Sequence, residues 1–163
     1  MVDWLQEVWK GLANDFRLPS GTETGQVLGR TLVAALLGGV IGSERMHQGK
    51  EAGLRTHALV SLSAAFFVIA PQQAGVTSEN LSRVIQGVAA GVGFLGAGTI
   101  LKREDENRVR GLTTAASLYF ATAIGIAAGL GRELVAALGT AAALIVLRLL
   151  PTSDDHTPEK PGH

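Results

Sequence analysis

The residues with chemistry to offer stand in short stretches between apolar runs. Glu44-Arg45 closes the run Gly38-Gly39-Val40-Ile41-Gly42-Ser43. Glu44 is expected to pair with a basic residue of a neighbouring loop, Arg55 being the obvious candidate; ordinary interfacial charge is the alternative. The two differ in energy, because breaking a buried pair costs several kcal/mol (about 3–5) whereas a solvated pair is worth roughly 0–1. Ala52-Gly53-Leu54-Arg55-Thr56-His57 and Arg110-Gly111-Leu112-Thr113-Thr114 each open a helix. Thr can cap a helix start, and Gly permits a tight approach into it. Two such starts on one side would offer free N–H groups and partial positive charge to an anion or a partner carboxylate. Plain capping is the alternative. His57 by itself reads as a hydrogen-bonded interfacial residue and not a ligand.

Arg83 follows Glu79-Asn80 at the start of a further apolar run. A cation at a helix start is electrostatically unfavourable, so a lipid phosphate or Glu79 is expected to compensate it. Glu104-Asp105-Glu106 has the composition of a divalent-ion site. Adjacent carboxylates point in different directions, however, and basic residues flank them, so a solvated loop is expected. The chain has no Cys, which excludes thiolate chemistry and disulfides, and its net charge of zero gives no footprint for nucleic acid. No nucleophile–base arrangement, zinc spacing or phosphate-binding Gly-Lys loop occurs. No catalytic residue, metal site or cofactor is therefore assigned, and the chain is not expected to be an enzyme.

These residues are positioned by apolar segments. Of 163 residues, 47% are hydrophobic and 21 are Gly, and the charges collect between long apolar runs, the pattern of a polytopic membrane protein. A crossing helix needs about 20 residues. Five segments approach that: 25–43, 57–76, 84–101, 112–131 and 133–150. Together they predict an all-α membrane bundle over 25–150. Pro71-Gln72-Gln73 interrupts the second and suggests a short or broken helix. Arg30 and Arg148, each about a turn inside a span, can snorkel to an interface. Residues 1–18 form an amphipathic segment. Trp4, Leu5, Val8, Trp9, Leu12 and Phe16 follow helical spacing, and the two Trp favour a surface helix. Residues 151–163 read as a disordered polar tail. Basic residues concentrate after the first span (Arg45, Lys50, Arg55) and after the third (Lys102, Arg103, Arg108, Arg110). Those connections are thus expected in the cytoplasm, the N-terminus outside and the C-terminus inside.

The first two spans are expected to repeat as the third and fourth, chance matching within a Gly/Ala-rich composition being the alternative. Gly53-Leu54-Arg55-Thr56-His57-Ala58 aligns with Gly111-Leu112-Thr113-Thr114-Ala115-Ala116 at an offset of 58, and Leu37-Gly38 aligns with Leu95-Gly96 at the same offset. The third span is rich in Gly87, Gly91, Gly93, Gly96 and Gly98. Small residues let helices approach closely in lipid, so this span is expected at the centre of the bundle. A homodimer seam is expected at Gly125, Gly129 and Gly139.

Four ordered blocks complete the reading: Gly42-Ser43-Glu44-Arg45, Ala52–Val60, Gly91–Gly98 and Arg110–Ser117. Over roughly residues 28–131 the chain resembles the membrane domain of the MgtC/SapB family. The resemblance implies a bacterial inner-membrane protein tied to growth under magnesium limitation, in a family also linked to survival in macrophages. Some members are thought to restrain the F-type ATP synthase. Many carry a C-terminal domain of ACT-like fold, which is not expected in this chain, and Tyr119 stands where the family often has Trp. By position, Glu44, Arg45, Gly53, Arg55, Thr56, Arg83, Gly93, Gly96, Gly111, Thr113 and Thr114 match the family signature, and His57 lies within it. The function this implies is regulation of another membrane complex such as the ATP synthase; a small ion or solute transporter or channel is the alternative. Membrane lipid and a second copy are the other expected partners, and no nucleic acid is expected.

Overall fold

The computed structural model describes residues 2–15, 20–103 and 108–150. Phe16, the acidic run Glu104-Asp105-Glu106 and the tail 151–163 lie outside them. Among the described residues six helices follow one another: α1 (Val2–Asp15), α2 (Gly21–His47), α3 (Leu54–Gln73), α4 (Ser78–Gly98), α5 (Leu112–Gly129) and α6 (Glu133–Leu149). α2, α3, α4 and α5 are long and apolar enough to cross a membrane. The chain is a helical multi-pass membrane bundle.

Local chemistry sets the helix ends. Ser20 and Glu23 form a reciprocal cap at the start of α2: the Ser20 hydroxyl accepts from the Glu23 N–H at 3.3 Å, and the Ser20 N–H donates to Glu23 Oε2 at 2.9 Å. Thr77 caps α4. α3 runs through Pro71 unbroken to Gln73. Proline stands in the final turn, where a missing N–H disturbs little downstream helix. Between α4 and α5 the chain forms a two-stranded ribbon, β1 (Leu101–Arg103) against β2 (Arg108–Arg110), in the register Leu101 to Arg110. That ribbon was not expected. It returns the chain directly into α5 through Gly111, whose φ of 90° favours glycine.

The centre of the bundle is α5 and not α4. α5 packs on α2, α3, α4 and α6, and 50% of its apolar window is buried against 17% for α4. The expectation of a central third span fails because glycine permits close approach but does not supply a neighbour. A Cβ at Gly87, Gly91, Gly93 or Gly98 would meet nothing within 4 Å, and only Gly96 is packed, against Ala115. The glycines that bring backbones together lie elsewhere. A side chain at Gly125 would collide with the Ser61 carbonyl, and one at Gly129 would sit 2.8 Å from the Ala65 carbonyl. A Cβ at Gly139 would meet Ile124 at 2.8 Å. Of the three residues expected at a dimer seam, Gly125 and Gly129 are buried against α3 within the chain, and Gly139 faces the tip of the Ile124 side chain.

α6 has 17 residues, about 25 Å at the helical rise of roughly 1.5 Å per residue. Its start adjoins Gly131, which lies beneath the Arg30 guanidinium near the beginning of α2. Its end reaches Glu44 near the end of α2. It therefore runs beside α2 along most of the bundle. The ends of α2, α4 and α6 and the starts of α3 and α5 share one end of the molecule, called here the Glu44 end.

The repeat is visible in the packing. The absent Cβ of Gly38 faces the His57 carbonyl at 2.7 Å, and that of Gly96 faces the Ala115 carbonyl at 3.8 Å. Gly42 abuts Gly53, and Ile100 abuts Gly111. Each pair maps onto the other by the same offset of 58.

Candidate functional site

Four side chains connect α2 to α6 at the Glu44 end. Arg148 donates from Nε and Nη2 to Glu44 Oε2, at 2.9 and 2.7 Å. Gln48 Nε2 donates to the other Glu44 oxygen at 3.2 Å and to the Leu147 carbonyl at 3.1 Å. The Gln48 carbonyl oxygen accepts from Arg45 Nη1 at 2.8 Å. Arg45 is only 1% exposed, so its charge is held within the bundle while Arg148 lies at the rim. A charge-assisted bond is stronger than a neutral one, and one that joins two helices limits their relative movement.

This geometry corrects the expected Glu44–Arg55 pair. Glu44 points towards α6, and Arg55 is exposed on the first turn of α3. The expected Thr caps are also absent: Gly53 and Gly111 occupy the cap positions and make no side-chain cap bond. Thr56 is exposed, Thr113 half-buried and Thr114 buried.

A second polar junction joins α3 to α5. His57 is fully buried. Its Nδ1 lies 3.0 Å from the Gly53 carbonyl and its Nε2 lies 2.9 Å from the Ser117 hydroxyl. A carbonyl only accepts, so Nδ1 carries the hydrogen; in the neutral ring Nε2 then accepts from Ser117. Ser117 Oγ also lies 2.8 Å from the Thr114 carbonyl, so its single proton serves one partner at a time. One turn deeper, the Ser61 hydroxyl donates to the Ala34 carbonyl at 2.7 Å. His57 is thus hydrogen-bonded as expected, but in the core and not at the interface.

Arg30 closes the opposite end. Its Nη1 donates to Gln72 Oε1 and to the Gly129 carbonyl, both at 3.2 Å. A cation there complements the carbonyl end of α5. Arg83, by contrast, is exposed on α4, 3.9 Å from Glu79.

The structure therefore brings Glu44, Arg45, Gly53 and His57 together with the starts of α3 and α5. Gly96 and Gly111 serve the α4–α5 hairpin, whereas Arg83 and Gly93 stand apart on α4. Gln48 and Arg148 complete the α2–α6 junction and Ser117 the α3–α5 junction, while Ser61 ties α3 to α2. None was predicted as a site residue: their inter-helix partners lie between 27 and 104 residues away, and a lone Ser in an apolar run or a Gln in a polar loop carries no periodic signal.

The MgtC family pattern matches residues 31–155. Protein SrpB of Synechococcus elongatus is 45% identical over 80% of this chain and 77% of its own length. YhiD of Escherichia coli, named as a candidate magnesium transporter, is 38% identical over 77% of this chain and 61% of its own. Protein MgtC of Salmonella typhimurium is 45% identical over 62% of this chain and 42% of its own. The chain thus spans less than two thirds of the latter two relatives. No solved structure matches.

Proposed function

The chain belongs to the MgtC family, and we propose that it acts as a regulator of another membrane complex during adaptation to scarce magnesium. The observation that carries this reading is a contrast at the Glu44 end. Glu44, Arg45 and His57 are engaged in bonds at helix junctions, while Arg55 and Thr56 beside them remain exposed. An exposed cation suits recognition of an acidic partner surface and steers its approach. The family resemblance makes the F-type ATP synthase the first candidate. The action proposed is contact and not catalysis.

The excess of Lys and Arg in the connections at the Glu44 end supports a cytoplasmic placement in the bacterial inner membrane, with the N-terminus outside. α1 exposes Trp4, Leu5, Val8, Trp9 and Leu12, which supports its lying flat on the outer surface. A Cys replacing Glu51 should then resist an impermeant external reagent, and one replacing Gly75 should react; the opposite pattern would invert the orientation.

The functional test is affinity purification from native membranes beside a flux assay. One membrane complex should accompany the wild-type chain and be lost with Arg55→Glu, and proteoliposomes should carry no magnesium. Transport is the second reading, favoured by the repeated hairpins and by the name of the YhiD relative. Protein-dependent magnesium flux without any partner would establish it instead.

A further inference from the structure

An apolar groove of about 460 Å³ lies between α3 and α4. Leu59 and Phe67 border it on one side, and Val84, Gly87, Gly91 and Leu95 on the other. Its floor is open because a Cβ at Gly87 or Gly91 would meet nothing within 4 Å. From Val84 to Leu95 it extends about 16 Å at the helical rise. That is roughly half of a ~30 Å hydrocarbon core, the depth of one leaflet.

Arg83 directly precedes Val84, the first α4 residue that lines the groove. It is exposed, and its contact with Glu79 is 3.9 Å between two exposed side chains, a geometry that gains little. A cation so near a helix start favours a nearby anion. Guanidinium and phosphate form strong paired hydrogen bonds. A cation one residue before the lining of an apolar groove of leaflet depth matches the two parts of one molecule.

We propose that the α3–α4 groove binds one acyl chain of an anionic phospholipid, with the phosphate held at Arg83. The groove would then be filled in the membrane, and α4, weakly packed within the chain, would be steadied by lipid.

Native mass spectrometry of the full chain in detergent, with phosphatidylglycerol and phosphatidylcholine supplied in competition, tests this. The wild type should retain phosphatidylglycerol preferentially. Gly91→Leu, which fills the groove, should reduce the retained lipid about tenfold. Arg83→Gln should abolish the preference between the two lipids. Gly93→Leu, on the opposite face of α4, should change neither. Should Gly91→Leu fail to fold, Gly87→Val fills the same groove with a smaller side chain. Equal retention of both lipids by the wild type would overturn the proposal. So would undiminished binding in the filled variants, or equal loss in Gly93→Leu. A change from dimer to monomer in Gly91→Leu with lipid unaltered would assign the groove to a second copy and overturn it equally.

Discussion

Arg148 places two guanidinium nitrogens on one carboxylate oxygen of Glu44, 2.9 and 2.7 Å away, and so fastens the end of α6 to the end of α2. Exchanging these charges separates this pair from the one proposed on sequence proximity. Glu44→Arg and Arg148→Glu should each lower the melting temperature in detergent by a few degrees, and the double exchange should recover most of the loss. Glu44→Arg combined with Arg55→Glu should recover none. Recovery in that second pair would mean that Glu44 faces α3.

Glycine substitutions should separate α5 from α4. Gly125→Leu drives a side chain into the Ser61 carbonyl and should destabilise by about 1–3 kcal/mol or more, or prevent assembly. Gly93→Leu meets open space and should stay within roughly 0.5 kcal/mol of wild type. Thermal unfolding of both variants checks this. Loss of assembly in Gly93→Leu would restore α4 to the centre.

The two repeated helix starts should respond unequally. Gly111 has a φ of 90° and sits against the Thr99 carbonyl, so Gly111→Ala should cost about 1–3 kcal/mol. Gly53 has a φ of −105°, and its nearest neighbour is the flexible Met46 side chain at 3.3 Å. Gly53→Ala should cost less than about 1 kcal/mol. Comparable losses would show that the left-handed turn into α5 is not what requires glycine.

The limits of the sequence show in these same residues. Helix positions were legible because long apolar runs and their charged borders are local. The α5 start at Leu112 and the α6 start at Glu133 follow directly from that pattern. The repeat was legible because its offset survives in the sequence, and it recurs as Gly38–His57 and Gly96–Ala115 contacts. The central helix was not legible. Gly91 and Gly125 look alike in sequence, and only the fold supplies the Ser61 backbone beside one and open space beside the other. The Arg148 partner was hidden for a similar reason: the pair spans 104 residues, while Arg55 is close along the chain.

The buried His57–Ser117 bond should be worth more than a surface contact. Ser117→Ala leaves a ring nitrogen of a fully buried histidine without that partner, an expected cost of about 1–3 kcal/mol. His57→Ala combined with Ser117→Ala should cost less than the sum of the single losses, by roughly 0.5–3 kcal/mol. Strict additivity in unfolding measurements would show that the two do not interact.

The exposed surface beside Glu44 is proposed to contact a partner complex. Site-specific photo-crosslinking in native membranes tests it most directly, with the photoreactive residue replacing Arg55 and, as a control, Phe94 on the open face of α4. One recurrent crosslink from position 55 to a subunit of a membrane complex, absent from position 94, is the expected result. No specific crosslink from position 55, in membranes where the same chain moves magnesium unaided, would contradict it.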